Sequence, residues 1–190
     1  MATIKQCVLK NLASRKIKLL MEEKERIIKA INKSTLENAF ILNNPVFLQK
    51  EVEEALKEAG YVSHTGVNGI KFCKETNFNL TFSDSFNQIV INRLVPFLKV
   101  EDGDDELPKN EANRYKKQKR IVEKAIEQSV DSLEDFQFRF QTVRIEFSLD
   151  FSCARLHKSI YDELEKAGFV IENSCVGIAP IYTAKFKTNF

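Results

Sequence analysis

Two clusters of basic residues are the first places where this chain could do chemistry. Lys5, Lys10, Arg15, Lys16 and Lys18 fall in an opening stretch that holds no acid. Arg114, Lys116, Lys117, Lys119 and Arg120 crowd around Tyr115. Cations interleaved with an aromatic ring are the residue types that follow a phosphate backbone and stack its bases. The plainer reading of each cluster is a solvated helix face. Tyr115 also continues an apolar stripe through Ile121 or Val122, and the acidic run at 101–106 can neutralise the basic helix that follows it.

Other constellations are weaker. Glu146 and Asp150 share one face of an extended segment, which would suit a hard cation, but Arg139 and Arg144 balance them as an ordinary solvated face. His64 and His157 have no Cys, Asp or His at ligand spacing. Cys7, Cys73, Cys153 and Cys175 are scattered without metal-ligand spacing and read as small, reduced, apolar residues. There is no P-loop, no dinucleotide glycine fingerprint and no Gly-x-Ser-x-Gly elbow. No catalytic residue, cofactor site or metal set is therefore expected, and the chain reads as non-enzymatic.

The elements that would position these groups come in two copies. Residues 44–82 and 152–190 align without a gap. Identical pairs include Leu48/Leu156, Lys50/Lys158, Leu56/Leu164, Ala59/Ala167, Gly60/Gly168, Gly69/Gly177 and Phe78/Phe186. About ten identities in about 39 positions point to an internal repeat. In each copy a polar residue, Asn44 or Ser152, can cap a helix. Pro45 suits the first helical position. Leu48, Val52, Leu56 and Ala59, and likewise Leu156, Ile160, Leu164 and Ala167, recur at helical spacing. Gly60 and Gly168 follow as helix stops. Strands then begin at Tyr61 and Phe169. Phe78/Phe82 and Phe186/Phe190 are spaced for one face of a strand.

Around the copies, 3–33 reads as helix with Asn11 as its weak point, 36–42 as a short strand, and 84–94 as a helix capped by Ser83 or Asp84. Residues 136–151 alternate as a strand, with a bulge expected at Gln141 and Thr142 and with Val143, Ile145, Phe147, Leu149 and Phe151 as its apolar set. The expected fold is α+β: two tandem α-β-α-β repeats forming a pseudo-symmetric body with mixed or antiparallel sheet. The first unit is expected at 1–100, an acidic linker at 101–108 and the second unit at 109–190.

Composition bounds the function. A net charge of +2 argues against an obligate polyanion binder at the level of the whole chain. No apolar run approaches a membrane span and no basic-then-apolar leader opens the chain. Fifteen phenylalanines support an aromatic-rich core.

The pattern Ile-x-x-Ala-Ile, a strand, then a helix ending Leu-Lys-Glu-Ala-Gly-Tyr-Val is carried here by Ile28, Ala30 and Ile31 and by the run from Leu56 to Val62. It is echoed at Ala125 and Ile126 and from Leu164 to Val170. It resembles small accessory proteins of bacteriophages. Those carry one unit and close with a strand ending Ile-Ser-Trp, whereas this chain has two units and no tryptophan. The resemblance implies a viral origin and a similar build. The expected function is a non-enzymatic viral accessory or structural protein acting through protein–protein contacts, with a protein partner or itself as a homo-oligomer. It would act in the host-cell cytoplasm or the virion, with no membrane. The alternatives are a nucleic-acid binder using the two basic stretches, and a nucleotide or small-molecule binder with a pocket between the repeats.

Overall fold

The computed structural model describes residues 3–43, 48–66, 69–99, 109–132, 142–150, 155–176 and 179–189. These form an α+β protein of five α-helices and two three-stranded antiparallel sheets. The chain divides into two compact units. The first is Lys16–Pro96, and the second joins Met1–Arg15 to Phe97–Phe190. Sequence reading groups residues 1–15 with the first repeat, whereas the contacts group them with the second. The division falls inside α1 (Ile4–Lys33), a single helix that runs unbroken through Asn11. The expected linker at 101–108 lies outside the described residues.

The first unit contains the second half of α1, then β1 (Ala39–Asn43), α2 (Lys50–Glu58), β2 (Tyr61–Gly66), β3 (Gly69–Lys74) and α3 (Phe82–Arg93). Strand β3 lies between β1 and β2 and is antiparallel to both. Strands β1 and β2 therefore run parallel, joined by α2, as a split β-α-β motif. Helix α2 forms because Val52, Ala55, Leu56 and Ala59 fall on one stripe, and all four are buried. Burying Val52 and Leu56 stabilises the unit by about 1.5–3 kcal/mol each, as an upper estimate. The helix packs against α3, whose Phe82, Phe86, Ile89 and Val90 are buried in turn. Helix α3 is capped by Thr81, whose Oγ1 accepts from Asp84 N at 3.2 Å and donates to Asp84 Oδ2 at 2.6 Å. The helix ends three residues before Pro96, which sits in a short 3-10 turn. On the sheet, Phe40 and Phe72 face each other in register and stack at 5.0 Å, with Tyr61 edge-on to Phe40 at 5.3 Å.

The second unit contains the start of α1, then α4 (Lys109–Ser132), β4 (Thr142–Asp150), α5 (Lys158–Lys166), β5 (Val170–Val176) and β6 (Ala179–Asn189). Its strand order, β4-β6-β5, again places the last strand between the other two. Ile145, Phe147 and Leu149 of β4 are buried as the alternation predicts, while Glu146 and Ser148 are exposed. Helix α4 packs on β4. Phe169 sits between Phe147 and Phe186, with ring centres 5.5 and 5.1 Å away. The expected bulge at Gln141 and Thr142 falls at the edge of the described residues, because Gln141 lies outside them.

Gly60 and Gly168 stop α2 and α5 with φ of +82° and +96°, as expected of left-handed C-terminal residues. Three expectations are corrected. Helix α3 starts at Phe82 and is capped by Thr81, ahead of the expected cap at Ser83 or Asp84. The capped helices start at Lys50 and Lys158, with Gln49 and His157 as caps, several residues after Asn44 and Ser152. In the first unit Phe78 and Phe82 do not share a strand face: Phe78 lies in the coil after β3 and Phe82 opens α3. The hairpins also differ in register. Val62 pairs with Cys73, yet Val170, which the gap-free alignment sets against it, pairs with Lys185, four residues beyond the aligned position of Cys73. An even shift keeps every side chain on its face. The slip lengthens β5 and β6 without disturbing the core.

Candidate functional site

Of the basic residues singled out above, Lys5, Lys10, Lys18, Arg114, Lys116, Lys117 and Arg120 are exposed and Arg15 is half-buried. Lys5, Lys10 and Arg15 belong to the second unit with the α4 set, while Lys16 and Lys18 belong to the first. Lys16 and Lys119 are corrections to the sequence reading, because both are 1% exposed and cannot meet a ligand. In the first unit Lys16 Nζ donates to Gln49 Oε1 at 2.5 Å and lies 3.2 Å from Glu51 Oε2. In the second, Lys119 Nζ donates to Tyr115 Oη at 2.9 Å and lies 3.4 Å from Glu163 Oε2. Tyr115 Oη in turn donates to Glu163, which also accepts from Ile4 N at 3.1 Å and so caps the start of α1. A buried ammonium persists only when a carboxylate and hydrogen bonds replace its water. Both lysines are thus structural.

The entries to α2 and α5 are held from outside the helix. Glu23 Oε2 accepts from Gln49 N at 3.0 Å, and Gln118 Oε1 accepts from His157 N at 2.7 Å. Gln118 Nε2 also donates to the Arg155 carbonyl at 3.1 Å, and the Arg114 guanidinium donates to the same oxygen. His157 Nδ1 accepts from Ser159 N at 3.2 Å, and its ring meets Tyr115 edge-on at 5.6 Å. That imidazole acts as a helix cap with its acceptor nitrogen occupied. His64 is exposed on β2 opposite Lys71.

Two grooves flank these helices, one in each unit. The first, about 490 Å³, lies between α2 and the β2–β3 hairpin, where Glu53 and Lys57 rim an apolar floor that includes Leu56, Ile70 and Phe72. The second, about 520 Å³, lies between α5 and the β5–β6 hairpin. Arg155, Lys158, Tyr161, Asn173 and Tyr182 line it, and among the described residues no acid does. Positions paired by the gap-free alignment differ between the two: Glu53 against Tyr161, Thr65 against Asn173 and Phe72 against Pro180. The charge of Glu165, followed by burial and a hydrogen bond to that same carboxylate, pushes the Tyr161 phenol above its usual range. Sequence reading missed this groove. Its visible trace is the run Arg155-Leu156-His157-Lys158-Ser159-Ile160-Tyr161, two cations and a tyrosine at the start of an amphipathic helix.

Cys7 Sγ donates to Glu123 Oε1 at 3.5 Å. Burial first, and the Glu123 carboxylate second, push its thiol up to about 11, so it is a poor nucleophile at neutral pH. Glu146 is exposed on β4, and the side chain of Asp150 lies outside the described residues. Among the described residues no group of three or more His, Cys, Asp and Glu is placed to hold a metal ion, and no helix is long and apolar enough to cross a membrane. No protein-family model, curated protein or solved structure matches the chain.

Proposed function

We propose that this chain is a non-enzymatic viral accessory or structural protein that acts through protein–protein contacts, self-association first among them. Its two units are duplicated copies of one α-β-α-β scaffold. The viral part is supported by the resemblance carried by Ile28, Ala30, Ile31 and the Leu56–Val62 run. The duplication is supported by the matched strand orders, by Gly60 and Gly168 at equivalent helix ends, and by the pair Glu23 and Gln118 holding equivalent helix entries.

The observation that carries the contact reading is the outer face of the first sheet. The residues on the side away from Phe40 and Phe72 are Ala39, Cys73 and Val62 in one cross-strand row and Ile41, Lys71 and His64 in the next. Ile41 is 46% exposed and Val62 42%. Its outermost strands β1 and β2 each have one pairing edge unused within the sheet. The outer face of the second sheet also carries an exposed apolar residue, Val170 at 65%, but sets it among polar pairs. There Lys185 pairs with Glu172 at 2.8 Å, and Ser148 meets Thr183 at 3.4 Å. Sedimentation velocity over a concentration series tests the reading. The native chain should associate, and the Ile41→Glu/Val62→Lys variant should stay monomeric with an unchanged circular dichroism spectrum. A monomeric native chain at tens of micromolar, or association untouched by the variant, would remove the self-association form.

A second reading, nucleic-acid binding, is favoured by the exposure of Arg114, Lys116, Lys117 and Arg120 along α4. Affinity that falls steeply with salt would be its signature.

A further inference from the structure

The groove of the second unit carries a function beyond the protein-contact reading and independent of it. We propose that it binds a segment of single-stranded nucleic acid, with one base against Tyr161 over Tyr182 and the flanking phosphates on Arg155 and Lys158.

Three observations support this. The first is the lining. Arg155 and Lys158 are exposed cations, Tyr161 is half-exposed, and Tyr182 forms part of the floor at 8% exposure. Non-specific single-strand sites combine a positive groove with aromatic platforms in just this way. At about 520 Å³ the groove falls in the range of ordinary ligand sites. The second is that the rim is fixed before any ligand arrives. The Arg155 carbonyl accepts from both Arg114 and Gln118, and His157 N donates to Gln118. Little side-chain and backbone freedom is left to lose on binding at these points. The third is the contrast with the groove of the first unit. There Glu53 takes the place of Tyr161, and with Lys57 it leaves the rim without net charge.

The choice of a strand over a free nucleotide comes from α4. Arg114, which reaches the Arg155 carbonyl, is followed at helical spacing by exposed Lys117, so the positive surface continues beyond the groove. A polyanion longer than one nucleotide can use both.

The test uses the full chain and a fluorescein-labelled 12-mer of thymidine, read by fluorescence anisotropy from 50 to 300 mM salt. Arg155→Glu/Lys158→Glu should weaken binding at least about tenfold and flatten the salt slope by about 1.4, two single-strand phosphate contacts. Tyr161→Ala should weaken it roughly 5- to 150-fold, while Tyr161→Phe should bind as the native chain does. Lys57→Glu in the other groove controls for bulk charge and should change little. All these side chains are exposed or half-exposed, and circular dichroism verifies that each variant is folded. No binding by the native chain at 50 mM salt, equal loss in Lys57→Glu and the double reversal, or an affinity for thymidine monophosphate equal to that for the 12-mer would each overturn the proposal.

Discussion

Replacing Glu163 with alanine should destabilise the second unit by about 3 kcal/mol, more than replacing the lysine it pairs with. The carboxylate serves three donors: Lys119 Nζ at 3.4 Å, Tyr115 Oη, and Ile4 N at 3.1 Å. Lys119 is 1% exposed and Glu163 17%. Without the carboxylate, the ammonium keeps only Tyr115 Oη at 2.9 Å and cannot regain water. Breaking a buried pair by removing one partner costs about 3–5 kcal/mol. The partial exposure of Glu163 pulls the pair towards the lower end of that range, and the lost Ile4 acceptor adds back about 1 kcal/mol at most. Lys119→Met leaves a carboxylate that still has two donors and some solvent, so its cost should be nearer 1 kcal/mol. Urea unfolding followed by tyrosine fluorescence reads the effect selectively, because Tyr115, Tyr161 and Tyr182 lie in the second unit and only Tyr61 in the first. Lys119→Met/Glu163→Leu should recover most of the loss, since apolar replacement of a whole buried pair is often neutral. A Glu163→Ala cost below about 1 kcal/mol, or a Lys119→Met cost that exceeds it, would refute the reasoning.

Three further outcomes follow from local geometry. Cys7 should alkylate slowly at pH 8, and Glu123→Gln should speed it, because that carboxylate is one of the causes holding the thiol near 11. The linkage sign is that of a raised acid: stability present below the ordinary value of 9.0 is lost as pH climbs towards about 11, where only the unfolded chain ionises, and urea titrations across that window measure it. Gly60→Ala should lower the melting temperature more than Gly168→Ala. Both enter the left-handed region, at about 1–2 kcal/mol, but an added Cβ at Gly60 would lie 2.4 Å from Phe78 Cγ, against 3.4 Å from Phe186 Cε2 at Gly168. Thr81→Ala should cost about 1 kcal/mol by removing the cap of α3, read as faster hydrogen exchange in the first turn of that helix.

Periodic burial was legible from the chain, and tertiary replacement of local rules was not. The stripe Val52, Leu56, Ala59 and its match Ile160, Leu164, Ala167 need only helical spacing to be read, and all six are buried. Gly60 and Gly168 were legible because a left-handed stop needs no partner. The true helix starts were hidden. Gln49 holds the cap position with no side-chain cap bond, and there and at His157 the N–H is satisfied by Glu23 and Gln118 from distant helices. Lys16 and Lys119 look like solvated cations until Glu51 and Glu163 are brought beside them. Phe78 reads as a strand residue in the gap-free alignment, yet in the first unit the chain leaves the sheet at Lys74 and delivers that ring over Gly60 from a coil. The groove of α5 escaped notice for a related reason: Tyr182 and Asn173 join Arg155 and Tyr161 only through the hairpin.

The placement of Met1–Arg15 in the second unit sets a timetable for synthesis. Ile4, Val8 and Leu12 are 0–2% exposed in the finished protein, and two of the groups that hold this segment, Glu123 and Glu163, come from α4 and α5. At about 5–20 residues per second, roughly 7–30 s separate the emergence of Arg15 from that of Glu163. Through that interval an apolar helical stripe waits beside the ribosome without its burial site, while the 16–96 unit gains all its parts just past the midpoint. The opening segment is therefore where a nascent-chain chaperone would engage, and where slowing translation would raise the risk of aggregation.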